Sequence, residues 1–236
     1  GPGNMGRFTH TYDNIITIEK LLKAWQEFLR GKKHKKDVIL FQAKLMDNIL
    51  DLHQDLKNKT YKHGDYKEFN ISDPKPRVIH KATVRDRLLH HLLYQELYPH
   101  FDKKFIHDSY SCRLNKGTHK AINQFRNYAR KVSKNNTKTC WVLKCDIKKF
   151  FANIDHRILK SILSKTVFDT DVLWLLGQVI DSFHTPMLTN SAIAENVNKG
   201  LPLGNLTSQL LVNVYMNEFD QFIKHKLKIK YYIHYA

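Results

Sequence analysis

Apolar residues recur at helical spacing through most of this chain, and that period limits the fold more than any other feature. Leu21, Leu22, Trp25, Phe28 and Leu29 form one stripe, with Thr17 placed to cap its helix. Val38, Phe41, Leu45, Ile49, Leu52 and Leu56 form a second, after the basic break Lys32-Lys33-His34-Lys35-Lys36. Residues 60–84 change period. Tyr, Phe, Ile and Val alternate there around Gly64, Pro74 and Pro76, which predicts short strands joined by turns. Further helices are predicted over about 85–98, stopped by Pro99, and over about 118–132. Thr139 to Cys145 reads as a strand ending on Asp146, and Lys230 to Tyr235 as a second, like half of a hairpin. Between them lie a helix capped by Asp155, one over about 170–183, and a long one through Leu210, Val214 and Phe222. The mixture predicts an α+β fold.

A chain of 236 residues is one large domain or two small ones, and 42% hydrophobic with 26% charged residues excludes a wholly disordered chain. Lys plus Arg number 39 against 22 Asp plus Glu, a net +17. A compact fold with that surplus repels itself unless a polyanion is its neighbour. Nucleic acid is therefore the expected partner, with anionic membrane second. No apolar run reaches the roughly 18–20 residues that span a bilayer, so no membrane segment is expected. Residues 1–4 read as the cleavage scar of an expression tag, with Met5 as the native start. Cys112, Cys140 and Cys145 lack metal-ligand spacing, and their odd number fits a reducing cytoplasm.

Asp146 carries the first chemical signal. A carboxylate at a rigid strand end, followed by two aromatics, suits an enzyme that handles nucleotides, because Mg²⁺ prefers carboxylate and phosphate oxygens. Aspartate at a strand end also caps turns, and alone the residue leaves both readings open. Its neighbours add more. Leu143-Lys144-Cys145-Asp146-Ile147-Lys148-Lys149-Phe150-Phe151-Ala152-Asn153-Ile154-Asp155-His156 resembles the first palm motif of reverse transcriptases. Gly200-Leu201-Pro202-Leu203-Gly204-Asn205-Leu206-Thr207-Ser208-Gln209 is similar to their loop and helix beside the nascent base pair. Tyr232-Ile233-His234-Tyr235-Ala236 resembles the strand entering their Tyr-X-Asp-Asp turn. Lys75-Pro76-Arg77-Val78-Ile79-His80 and Arg85-Asp86-Arg87 are similar to the fingers motifs, and Ser109-Tyr110-Ser111-Cys112-Arg113 to the segment after them.

The resemblance implies a right-hand polymerase fold. Residues 5–138 would form helical fingers with short strands, and 139–236 a partial palm with an antiparallel sheet, a helical insertion at about 155–183 and no thumb. It implies an RNA-directed DNA polymerase that uses Mg²⁺, deoxynucleoside triphosphates, a template RNA and a primer. Group II intron enzymes usually carry Gln-Gly at the positions of Leu203-Gly204, and Ser-Pro at those of Ser208-Gln209. The residues present here resemble instead the reverse transcriptases of diversity-generating retroelements. Those copy inaccurately at template adenines and commonly work with a small basic accessory protein.

Within that resemblance, Asp146 matches the first-motif ligand of two metal ions, and the Ile147 carbonyl a further ligand. Phe151 matches the gate that excludes a ribose 2′-hydroxyl, although it or Phe150 equally suits core packing. Arg77 matches the cation that grips the triphosphate, with Lys75 as helper; a solvated strand is the plain alternative for both. Leu203, Gly204 and Gln209 fall in the nucleotide loop. Leu203 removes a polar check on base-pair geometry or simply packs beneath that loop. Arg85 and Arg87 are expected to support the fingers helix, Arg113 to make a structural pair, and Asp155 to cap. The family's next two aspartates do not follow Ala236, so the chain is expected to be a fragment, inactive alone. A non-catalytic RNA-binding scaffold and a fragment of a group II intron maturase are the alternatives.

Overall fold

Thr17 opens helix α2 (Ile18–Leu29) by accepting a hydrogen bond from the Lys20 amide at 3.3 Å. The stripe predicted there is the buried face: Leu21, Ala24, Trp25 and Phe28 are all buried. The structure is a computed structural model that describes residues 6–184 and 198–235, so the tag scar read at 1–4, the start read at Met5, and Ala236 lie outside the described residues. A short α1 (Tyr12–Ile15) precedes α2. The second stripe is shared by α3 (Lys36–Ala43) and α4 (Leu45–Asn58), which meet at Lys44. The alternating segment forms one hairpin, β1 (Lys67–Ile71) against β2 (Arg77–Lys81), antiparallel, with Lys67 opposite Lys81 and Ile71 opposite Arg77.

Helix α5 (Val84–Asp102) runs through the middle and packs on α2. It passes the expected stop at Pro99. Losing one backbone bond there costs about 3 kcal/mol, but Leu97, Tyr98 and Phe101 are buried around it, and each such side chain contributes about 1.5–3 kcal/mol. Helix α6 (Thr118–Val132) follows, and only its Ala121 is buried. Then come α7 (His156–Ser164), α8 (Thr170–Asp181) and α9 (Leu206–Gln221), the last packed against α5 and α7. The buried apolar cluster is continuous from Phe8 to Val214.

Two predicted strands are not formed. Thr139–Cys145 forms no regular element, with Trp141 and Leu143 each 90% exposed. Lys230–Tyr235 reaches only a single parallel bridge, His234 with Ser109. A strand is held by its partner's ladder. Among the described residues these runs find none, so the antiparallel palm sheet expected from sequence is absent there. Also among the described residues, no helix is long and apolar enough to cross a membrane.

Candidate nucleotide-handling site

The segment 198–205 is stitched on both sides by backbone bonds. On one side the Gly200 amide donates to Ile154 O and the Leu201 amide to Phe151 O, each at 2.8 Å, while the His156 amide donates to Asn198 O at 3.0 Å. On the other side the His80 amide of β2 donates to Leu203 O at 3.1 Å, and Asn205 Nδ2 to His80 O at 2.8 Å. Gly204 makes this second join possible. Its φ is +96°, which favours glycine, and a Cβ there would lie 2.6 Å from Ile79 Cγ2. One loop thus ties the segment after Asp146 to the β1–β2 hairpin.

Alternate residues of a strand share a face. Arg77 therefore projects on the same side of β2 as Ile79, which touches Gly204, about 7 Å further along the strand. Lys75 and Arg77 are exposed. Lys81, on that same face, lies 3.3 Å from Asp37, whereas Arg77 has no carboxylate partner among the described residues. A guanidinium left unpaired beside a glycine loop is suited to phosphate oxygens.

Asp146 and Ile147 lie in the exposed run before Phe150, and Asp146 has no hydrogen bond or ion pair among the described residues. Phe151 begins a 3₁₀ turn, Phe151–Asn153, and is half-buried against the core. Phe150 packs towards α9, with its ring 6.4 Å from that of Tyr215. Leu203 and Gln209 are half-buried, and the Gln209 carboxamide has no partner among the described residues. Asp146 and the Ile147 carbonyl offer the hard oxygen donors that Mg²⁺ takes. The donor type fits; the number is incomplete, since no group of three His, Cys, Asp or Glu able to hold a metal occurs among the described residues.

Arg85, Arg87, Arg113 and Asp155 have structural partners. Arg85 pairs with Asp55, and Arg87 lies 2.7 Å from Asp37. Arg113 Nε lies 2.8 Å from Asp102 Oδ1, and its Nη1 donates to Ile106 O and Ser109 O. Asp155 caps α7, accepting from the Arg157 and Ile158 amides at 2.8 and 3.1 Å. Two buried carboxylates escape a motif-based reading: Asp108 and Asp220. Asp220 had a signal, since it follows the buried Asn213 and Met216 on one helical stripe of α9.

Comparison with known proteins gives consistent likenesses. The family model described as "Reverse transcriptase (RNA-dependent DNA polymerase)" matches residues 61–236. Protein YkfC of Escherichia coli K12 is 26% identical over 186 residues, covering 78% of this chain and 47% of that protein. The group II intron-encoded protein LtrA of Lactococcus lactis subsp. cremoris is 24% identical, covering 95% of this chain and 36% of LtrA. The chain thus spans less than half the length of these relatives. A solved structure titled as a partial Cas6-RT-Cas1–Cas2 complex shares the fold, with a TM-score of 0.56 at 20% identity over 92% of this chain and 35% of that one.

Proposed function

Because this chain belongs to the reverse transcriptase family, we propose that it supplies the fingers and part of the palm of an RNA-directed DNA polymerase. Its fold is of the right-hand polymerase type. The observation that carries the reading is the double attachment of the 198–205 segment, to Phe151 and Ile154 on one side and to His80 on the other. A polymerase needs the metal-binding carboxylate, the surface under the nascent base pair and the triphosphate grip held in one frame. That loop joins the segments carrying all three.

In this reading residues 5–138 are fingers and 139–236 palm. Asp146 and the Ile147 carbonyl hold Mg²⁺ with carboxylates that the family carries beyond Tyr235-Ala236, and bound Mg²⁺ supplies charge neutralisation for phosphoryl transfer. Arg77, helped by Lys75, grips the triphosphate. Phe151 excludes a 2′-hydroxyl, while Leu203, Gly204 and Gln209 lie under the nascent base pair. The partners are template RNA, primer or cDNA, deoxynucleoside triphosphates and a small basic accessory protein, in the cytoplasm.

Leu203 and Gln209 support an error-prone enzyme of the diversity-generating retroelement type. The likeness to LtrA favours a second reading, a group II intron maturase. Primer extension by the full-length protein on an RNA template tests the polymerase: Asp146→Ala should abolish it, and equal activity in both proteins would overturn the assignment. Sequencing the products separates the subtypes, because misincorporation concentrated opposite template adenines belongs to the retroelement reading alone.

A further inference from the structure

The segment 231–235 is held by the Asp220 carboxylate and by backbone bonds to the stretch that carries the buried Asp108. Asp220, near the end of α9 and 2% exposed, accepts from Tyr232 Oη at 2.7 Å and faces His234 Nδ1 at 3.0 Å. Asp108, 3% exposed, meets this segment through its backbone. Its carbonyl accepts from the His234 amide at 2.9 Å, and the Tyr110 amide donates to His234 O at 2.8 Å.

The Asp108 side chain has its own work. It accepts from Tyr110 Oη at 2.9 Å, Gln124 Nε2 at 3.1 Å and Tyr128 Oη, with His107 Nδ1 at 3.0 Å. Burial opposes its ionisation, but the bonds from Tyr128, His107 and Tyr110 hold its carboxyl below the ordinary range. Tyr128 and Gln124 belong to α6, which lacks a buried apolar face of its own. Asp108 therefore anchors α6. That helix in turn touches the same segment: the Tyr128 ring lies 5.1 Å from that of Tyr231, and Thr118 Oγ1 lies 2.8 Å from Tyr235 Oη.

These bonds replace a sheet. With one parallel bridge and no ladder, the segment 231–235 is held by the Asp220 carboxylate directly and by Asp108 through its backbone carbonyl and α6. We infer that Asp220 and Asp108 are positioning residues that aim the segment 232–235, and with it the metal-binding turn that follows the matching segment in the family. The inference rests on the polymerase reading above. Neither residue is a metal ligand in it; they act through His234, Tyr232 and α6. An aim error of about 1 Å can cost on the order of a hundredfold in rate.

The test uses Asp220→Asn and Asp108→Asn, which keep side-chain volume and remove charge, with Tyr232→Phe as a milder variant that keeps the Asp220–His234 contact. In the 236-residue chain, amide hydrogen exchange at Tyr110 and His234 should quicken by about tenfold or more in the Asn variants, with amides of α2 and α5 unchanged. In the full-length polymerase, kcat should fall by about tenfold or more and the Mg²⁺ half-saturation should rise, while KM for template–primer stays put. Unchanged exchange in both Asn variants overturns the inference. So does quickened exchange with wild-type kcat and Mg²⁺ dependence. An inactive wild type sinks the polymerase reading and the catalytic half of this one, and the exchange rates then decide whether the grip itself exists.

Discussion

Ile79 Cγ2 stands where a side chain on Gly204 would begin: a Cβ there would be 2.6 Å away. The backbone at Gly204 adds a second constraint, with φ at +96°. Gly204→Ala should therefore destabilise the chain twice over, by about 1–2 kcal/mol for the backbone and about 1–3 kcal/mol for overpacking. Adding Ile79→Ala should relieve the second part and leave the first. A urea double-mutant cycle reads this directly, and an identical cost with and without Ile79 would show that the contact is not the cause.

Asp146 and Asp155 are nine residues apart in one motif but differ in surroundings. Asp155 spends its carboxylate on two amides of α7, whereas Asp146 is exposed without a partner among the described residues. Asp155→Ala should lose about 0.5–2 kcal/mol of stability, and Asp155→Asn much less, since Asn also caps. Asp146→Asn should leave stability within about 0.5 kcal/mol while removing primer extension. Melting curves and extension assays on the full-length protein should thus separate the two residues, one acting on stability and the other on activity.

Arg77 offers a cleaner separation of binding from folding. It is exposed on β2, and its removal breaks no ion pair among the described residues. Arg77→Ala should leave the melting temperature unchanged and raise KM for the deoxynucleoside triphosphate by about tenfold, the scale of one lost charge-assisted contact of about 1.4 kcal/mol. Arg77→Lys should recover part of the loss, because the charge survives and the fork does not. A wild-type KM in Arg77→Ala would remove this residue from the site.

The helices are legible in the sequence because each is written locally. Thr17 and the stripe through Phe28 mark α2, and α6 and α8 match their predicted spans within two residues. Local signals also overreach. Pro99 reads as a stop, yet the surrounding buried side chains carry α5 past it. Thr139–Cys145 has the composition of a strand, but pairing depends on distant residues that composition does not name. The site shows the same division. The glycine at 204 is visible, while its reason, Ile79, lies 125 residues away. Asp108 and Asp220 belong to no motif; their roles exist only once α6, α9 and the last segment meet.

Stability should fall on mild acidification, ahead of the carboxylates. Burial, then Lys32 and Arg87, lowers His91 from its ordinary 6.5 to about 4. Burial, then Lys104, Lys103 and His10, does the same to His100, and burial lowers His90 well below 6.5. In each case the folded pKa is below the unfolded one, so between about 4 and 6.5 the unfolded chain binds more protons and stability drops as pH falls. Asp37, Asp55, Asp108 and Asp169 are also lowered, from 3.8. Their contribution is present above the unfolded value and lost only in stronger acid, so the two windows separate. The melting temperature should therefore fall steadily from about pH 6.5 to 4.5, with a shallower slope in His91→Gln/His100→Gln. His91 meets the Phe28 ring edge-on at 5.4 Å, and His100 Nε2 lies 3.1 Å from Thr166 Oγ1, so some loss at pH 7 is expected from the substitutions themselves. The slope is the diagnostic. An equal slope in the double variant would mean that these two imidazoles do not drive the acid response.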